Sequence, residues 1–159
     1  MLNPILPQQV DNTYRGHKLA LWLLGLLVLM KVGIGLNSIF NGHFVASSAD
    51  GIPLDTFTPA GTQAVVALFA AWGLAQVLFG LLSLLVLLRY RALVSFMFAL
   101  LLVEHLSRRL IFAFLPIVRT GTPPGPIVNL VFLTIMIVGL ALSLWPRRGT
   151  SGKGAGAGL

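Results

Sequence analysis

Four long apolar runs, separated by short polar segments, dominate the sequence. They predict helices at about residues 19–40, 62–88, 92–115 and 127–145. A helix needs roughly 20 apolar residues to cross about 30 Å of hydrocarbon at about 1.5 Å per residue, and all four runs qualify. Because apolar and polar positions do not alternate along the runs, they are not the strands of a membrane barrel. The pattern predicts an all-α integral membrane protein.

The connections between the runs predict how the helices are arranged. Arg89-Tyr90-Arg91 is a very short turn, so the second and third helices should be antiparallel neighbours. Thr58 followed by Pro59 is typical of an N-cap and a first helical residue, and Pro116 should end the third helix. We therefore expect an antiparallel four-helix bundle.

The organisation into domains follows from the same pattern. Residues 1–148 should form a single transmembrane domain, because no connection is long enough for a separate soluble domain. Residues 149–159 are rich in glycine and should form a flexible tail.

The composition supports the membrane class and excludes some chemistry. Hydrophobic residues make up 57% of the chain and charged residues only 9%, whereas about a quarter of a soluble domain is charged. There is no cysteine, which excludes disulfides, thiol redox chemistry and thiolate metal sites. His17, His43 and His105 lie at different expected sides or depths, so we expect neither a metal site nor a cofactor.

The formal net charge of +7 has a distribution that predicts topology rather than nucleic-acid binding. Most basic residues flank helix ends on one expected side, where they are Arg15, Lys18, Arg89, Arg91, Arg147, Arg148 and Lys153. The opposite side has Asp50, Asp55 and a single basic residue, Arg119. By the positive-inside rule both termini are cytoplasmic, in a multi-pass protein of a bacterial-type inner membrane.

The third run contains a cluster of ionisable residues, which is Glu104-His105-Leu106-Ser107-Arg108-Arg109. A charge within the bilayer is costly, so such groups usually face protein or water. Counted from the cytoplasmic ends of their helices, Lys31 and Glu104 both lie about 18 Å into the membrane. We therefore predict that Lys31 and Glu104 pair directly or through one intermediary. Glu104 with Arg108, and His105 with Arg109, are four residues apart and can also meet.

Asparagines lie at a similar depth and extend the cluster into a predicted outward-facing polar pocket. Asn37 and Asn41 approach from the first helix, and Asn129 from the fourth. His43, Asp50 and Asp55 of the outer loop could cover the same area. The candidate ligand-binding residues are Lys31, Asn37, Glu104, His105, Arg108, Arg109 and Asn129, and no residue is assigned a catalytic role.

The cluster has several interpretations. It could be a structural network that holds the helices together, or Arg108 and Arg109 could bind the headgroup of an anionic lipid or a quinone. Glu104 or His105 could act as an acid or base, although no nucleophile with suitable spacing accompanies them. Movement of ions or protons is a further alternative. On the second helix, Gly73, Gln76, Gly80 and Ser83 share one face, which is typical of small-residue packing with Gln76 bonded to a neighbour.

Two segments of the sequence resemble a known family. Leu21-Trp22-Leu23-Leu24-Gly25 with Met30-Lys31-Val32-Gly33 is similar to the first helix of DoxX-like small four-helix membrane proteins. Residues 73–91 are similar to their second helix and basic turn. The resemblance covers about half of the chain. It implies a four-helix membrane fold and an association with respiratory oxidase or redox complexes.

These observations favour a non-enzymatic role. We expect a small accessory or assembly subunit that contacts the lipid bilayer and other membrane protein subunits, within a larger redox or respiratory complex. The alternative is a membrane enzyme or carrier that handles an amphipathic lipid- or quinone-like substrate in the outward-facing pocket.

Overall fold

The computed structural model describes residues 16–145, together with Ile5, Asn12 and Tyr14, and these residues are mostly helical and include no strand. The long helices among them are α1 (Lys18–Phe40), α2 (Pro59–Arg89), α3 (Val94–Phe114) and α4 (Gly125–Leu144). Their bounds lie within a few residues of those expected, so the all-helical class is confirmed. The predicted tail, 149–159, lies outside the described residues.

Local signals determine where the helices begin and end. The Thr58 hydroxyl accepts a hydrogen bond from the Gly61 backbone N–H at 3.2 Å, and Pro59 is the first residue of α2. Both features were expected, because proline needs no intrahelical donor at that position. α3 ends at Phe114, shortly before Pro116, whose ring cannot continue a helix.

Three of the helices, α1, α2 and α4, are long and apolar enough to cross a membrane. α3 has a comparable length of 21 residues, but Glu104, Arg108 and Arg109 all fall within it. Its charge distinguishes it from the other three helices. Whether α3 can cross a membrane beside the other three helices therefore depends on which groups compensate its charges.

Helix packing is closest between α1 and α2, and α3 contacts α4 more than α2. α1 and α2 approach at glycines: a Cβ added to Gly35 would lie 2.6 Å from the Gly73 carbonyl oxygen. The expected packing face of α2, residues Gly73, Gln76, Gly80 and Ser83, is buried. The main core contains the fully buried Leu24, Leu27, Phe98, Leu101 and Met136.

The two ends of the helices differ. At one end, which we call the basic end, the His17 N–H donates to the Leu142 carbonyl at 3.1 Å, and Lys18, Arg89 and Arg91 lie at the adjoining helix termini. The opposite end, which we call the loop end, is covered by residues 41–58 and 115–124. A small second core there contains Ala46, Ile52 and Leu54, with Ile117 packed against it. These segments form a lid over the space between the helices.

Candidate functional site

Lys31 and Glu104 form an ion pair, as predicted from their equal depth in the membrane. The Lys31 side chain is 2% exposed, and its Nζ lies 3.2 Å from Oε2 of Glu104. The same Nζ donates a hydrogen bond to Oε1 of Gln76 at 2.5 Å. α1, α2 and α3 therefore each contribute one side chain to a buried polar contact.

The Glu104 carboxylate has partners on both oxygens. Oε1 accepts a hydrogen bond from Nε2 of Gln76 at 3.5 Å and lies 3.6 Å from Nη1 of Arg108. The expected contact between Glu104 and Arg108 is therefore confirmed. Gln76 is expected on a packing face with a hydrogen bond to a neighbour, and the structure identifies its partners as Lys31 and Glu104.

Aromatic rings surround the buried ammonium group. Nζ of Lys31 lies 5.7 Å from the centroid of the Phe79 ring and 6.0 Å from that of Phe132. The negative faces of such rings attract a cation that has lost its water. The rings and the Glu104 carboxylate together compensate for the burial of Lys31.

His105 is 1% exposed and contacts Arg108 rather than Arg109. Its Nδ1 lies 3.1 Å from Nη2 of Arg108. Because a guanidinium can only donate, Nδ1 must accept and the ring proton must lie on Nε2. That Nε2 has no hydrogen-bond partner among the described residues. Arg109, which the spacing also allowed to meet His105, is exposed instead.

A cavity of about 160 Å³ lies beneath the lid at the loop end. Five of the seven candidate ligand-binding residues line it, namely Lys31, Asn37, His105, Arg108 and Asn129. Glu104 lies behind this lining and holds Lys31 and Arg108, whereas Arg109 does not line the cavity. Asp50 contributes to the lining as the sequence suggested, but His43 and Asp55 are exposed and do not.

Trp72 is a lining residue that the sequence did not indicate. The Arg108 guanidinium lies 5.2 Å from the centroid of its indole ring. Within the described part of the chain its Nε1–H has no acceptor. The one available signal was spacing, because Trp72 precedes Gln76 by four residues and so shares its face of α2.

Asp50 brings a carboxyl group to the edge of the cavity, near the start of α4. Burial raises the pKa of Asp50 above its ordinary value of 3.8, and the charges of Arg119 and Arg108 oppose this effect only in part. Close packing is the reason for the burial: a Cβ added to Gly125 would lie 2.6 Å from Oδ1 of Asp50.

The raised pKa of Asp50 predicts a pH dependence of stability. The folded protein binds this proton more tightly than the unfolded chain, so the free energy of unfolding should decrease as the pH rises through the folded pKa. We expect Asp50→Asn to lose part of this decrease when thermal unfolding in detergent is followed from about pH 4 to pH 7. Asp55→Asn, which makes the same substitution at an exposed position, is the control. An Asp50→Asn profile as steep as that of the parent would contradict the prediction.

The arrangement offers charge and hydrogen-bond donors rather than metal ligands. In the part of the chain that the structure describes, no group of three His, Asp or Glu side chains is placed to hold a metal ion. The cavity lining includes Lys31, Trp72, His105 and Arg108, whose side chains all carry N–H donors suited to an oxygen acceptor.

The fold and this site define a helical protein with three helices able to cross a membrane and a buried ionic network at one end. No protein-family model matches the chain, and neither a curated protein nor a solved structure is significantly similar to it. The function that follows rests on the geometry and charge of the site itself.

Proposed function

We propose that this protein is a small accessory or assembly subunit of a larger complex in a bacterial-type inner membrane. In this proposal all four long helices cross the bilayer as an antiparallel bundle. The complex would be of the redox or respiratory type that the DoxX-like resemblance implies.

The proposed crossing of α3 is supported by its length and its pairing. At about 1.5 Å per residue, 21 residues span about 30 Å, which matches the hydrocarbon thickness. Glu104 is compensated by Lys31 and Arg108, which reduces the cost of burying its charge. Arg109 is near the loop end, where its long stem can reach the headgroups.

The proposed orientation is supported by the distribution of basic residues. Lys18, Arg89 and Arg91 lie at the basic end, whereas Asp50 and Asp55 lie at the loop end. Cytoplasmic segments of membrane proteins are enriched in Lys and Arg. The basic end is therefore the cytoplasmic end in this proposal, and both termini are cytoplasmic.

One observation carries the accessory role, and it concerns the last turns of α3. All residues from Arg109 to Pro116 are exposed, including Phe112 and Phe114. Because a helix has 3.6 residues per turn, six consecutive exposed residues from Arg109 to Phe114 present every face of it. The rest of the described chain does not cover this segment, and its aromatic side chains are of the kind enriched at protein interfaces.

The state of the carboxylate supports a non-enzymatic role. Both oxygens of Glu104 have partners, so this group is poorly suited to accept a proton from a substrate. The described residues that line the cavity include no serine or threonine, and the chain has no cysteine. A covalent mechanism at this cavity therefore has no hydroxyl or thiol nucleophile.

Site-specific photo-cross-linking in the native membrane tests the accessory role. A photoreactive phenylalanine analogue at Phe114, which is 77% exposed, should give a discrete adduct with one membrane protein that also co-purifies in mild detergent. The matched control is the same analogue at Trp22 on α1, which is 79% exposed and should give only lipid adducts. If Phe114 also gives only lipid adducts, the proposal is wrong.

A further inference from the structure

Three buried nitrogen donors of residues around the cavity make no hydrogen bond. Nε1 of Trp72 and Nε2 of His105 have no hydrogen-bond partner among the described residues. Nη1 of Arg108 also makes no hydrogen bond, although it lies 3.6 Å from Oε1 of Glu104 in their ion pair. All three residues line the same cavity. A buried donor without an acceptor is costly and uncommon in native proteins. Two such donors, beside a guanidinium that is not fully hydrogen-bonded, point to a ligand in this cavity rather than to a purely structural network.

The chemistry of the three groups defines what such a ligand must offer. An indole N–H and a guanidinium can only donate. Nε2 of His105 also carries a proton, because Nδ1 accepts from Arg108. The ligand therefore has to present acceptor atoms, of which oxygen is the usual kind in biological molecules.

The charges near the cavity favour a negative acceptor over a neutral one. Lys31 and Arg108 both line the cavity, and a single carboxylate, Glu104, is paired with the two of them. Asp50 adds a second carboxyl at the edge, and the positive charge of Arg119 acts on it there as well as that of Arg108, so three basic groups face two carboxyls. A carboxylate or phosphate would balance the excess positive charge and can form charge-assisted hydrogen bonds with Arg108.

The other walls and the size of the cavity favour a ligand with an apolar part. Ile34, Val45, Val128 and Phe132 contribute apolar surface. The volume of about 160 Å³ is close to the roughly 150 Å³ that accommodates a benzene ring, and smaller than the about 300–1,000 Å³ of pockets that enclose whole ligands. The cavity therefore fits a headgroup and the first atoms of a tail, not a complete lipid.

We propose that this cavity binds the anionic oxygen headgroup, a carboxylate or a phosphate, of a molecule with an apolar tail. Arg108 forms the ion pair with the headgroup, and Trp72 and His105 donate hydrogen bonds to it. Lys31, which also lines the cavity, contributes positive charge. This role goes beyond the accessory function and does not depend on it.

Titration of the purified full-length protein, followed by native mass spectrometry, tests the proposal. With palmitate as the probe, we expect saturable binding of one molecule per chain. Methyl palmitate has the same chain without the charge and should bind at least about tenfold more weakly, because charge-assisted hydrogen bonds are the stronger ones. Dipalmitoyl phosphatidic acid distinguishes the two possible headgroups, a phosphate and a carboxylate. Preference for it would assign the headgroup to a phospholipid, and preference for palmitate would assign it to a free acid.

Neighbouring arginines provide a matched pair of variants. Arg108→Gln should weaken palmitate binding by roughly tenfold or more, whereas Arg109→Gln, at the exposed adjacent position, should leave it unchanged. Because Arg108 also pairs with Glu104, its replacement can disturb the fold. Trp72→Phe therefore serves as the second variant: it keeps an aromatic ring and the pairing of Arg108 with Glu104, removes the N–H together with the second ring of the indole, and should weaken binding about two- to tenfold.

Several results would overturn the proposal. These are absence of saturable binding by both palmitate and phosphatidic acid, equal binding of palmitate and its methyl ester, and equal loss in the Arg108→Gln and Arg109→Gln variants. Binding of a neutral quinone but neither anion would also reject an anionic headgroup. None of these results bears on cross-linking at Phe114, so failure of this proposal is distinguishable from failure of the accessory role.

Discussion

Replacing Lys31 by methionine should destabilise the protein by about 3 kcal/mol or more. Removal of one partner of a buried ion pair typically costs about 3–5 kcal/mol, because the other charge stays buried without compensation. Glu104 retains Arg108 as a partner at 3.6 Å, which places our expectation at the lower end of that range. Gln76 loses its strongest contact in the same variant. The measurement is the free energy of unfolding in detergent, from denaturant titration followed by circular dichroism.

Two further variants control this experiment. Lys18→Met makes the same substitution at an exposed position of the same helix, and it should change the stability by no more than about 0.5 kcal/mol. The double variant Lys31→Met with Glu104→Gln also removes the carboxylate partner of Arg108, so it should be at least as unstable as Lys31→Met. If Lys31→Met is as harmless as Lys18→Met, the buried pair does not stabilise this fold.

Replacing Gly35 by alanine should also destabilise the protein, by about 1–3 kcal/mol. The added Cβ would lie 2.6 Å from the Gly73 carbonyl oxygen and 2.8 Å from Cγ2 of Val77. The backbone of α2 cannot yield as a flexible side chain can, so the two helices have to separate. Overpacking of this kind costs about 1–3 kcal/mol. Thermal unfolding in detergent measures the effect.

Gly33→Ala is the matched control, two residues earlier on the same helix. A Cβ at Gly33 meets no atom within 4 Å, so only the intrinsic helix preference changes. Alanine is favoured over glycine within a helix by about 1 kcal/mol. The two substitutions should therefore have opposite signs, and a shared sign would mean that the close approach of α1 and α2 does not restrict residue 35.

The positions of the helices and the depth of their charges were predictable because both are local properties. Apolar runs, a Thr-Pro start and a proline stop determine where a helix lies in the chain. The constant rise per residue then placed Lys31 and Glu104 at one level, and their contact at 3.2 Å agrees with that count. The number of membrane-crossing helices could not be predicted from hydrophobic length alone, because α3 carries three charges that only its neighbours can compensate.

The direction in which each side chain points was not predictable. Arg108 and Arg109 have the same chemistry and adjacent positions, and both were candidate ligand-binding residues. Successive residues of a helix point about 100° apart, so Arg108 lines the cavity while Arg109 is exposed. Which of the two faces inward depends on how α3 packs against α4 and α2.

The sequence by itself determined the helical class, the helix bounds and the level at which opposite charges meet, since hydrophobic length and helical rise act within one segment. Only the tertiary structure decided that Gln76 bridges Lys31 and Glu104 and that Trp72 faces the same cavity. These contacts join residues from different helices. Their existence depends on the rotation of each helix about its axis, which is set by packing between helices and not by the pattern within any one of them.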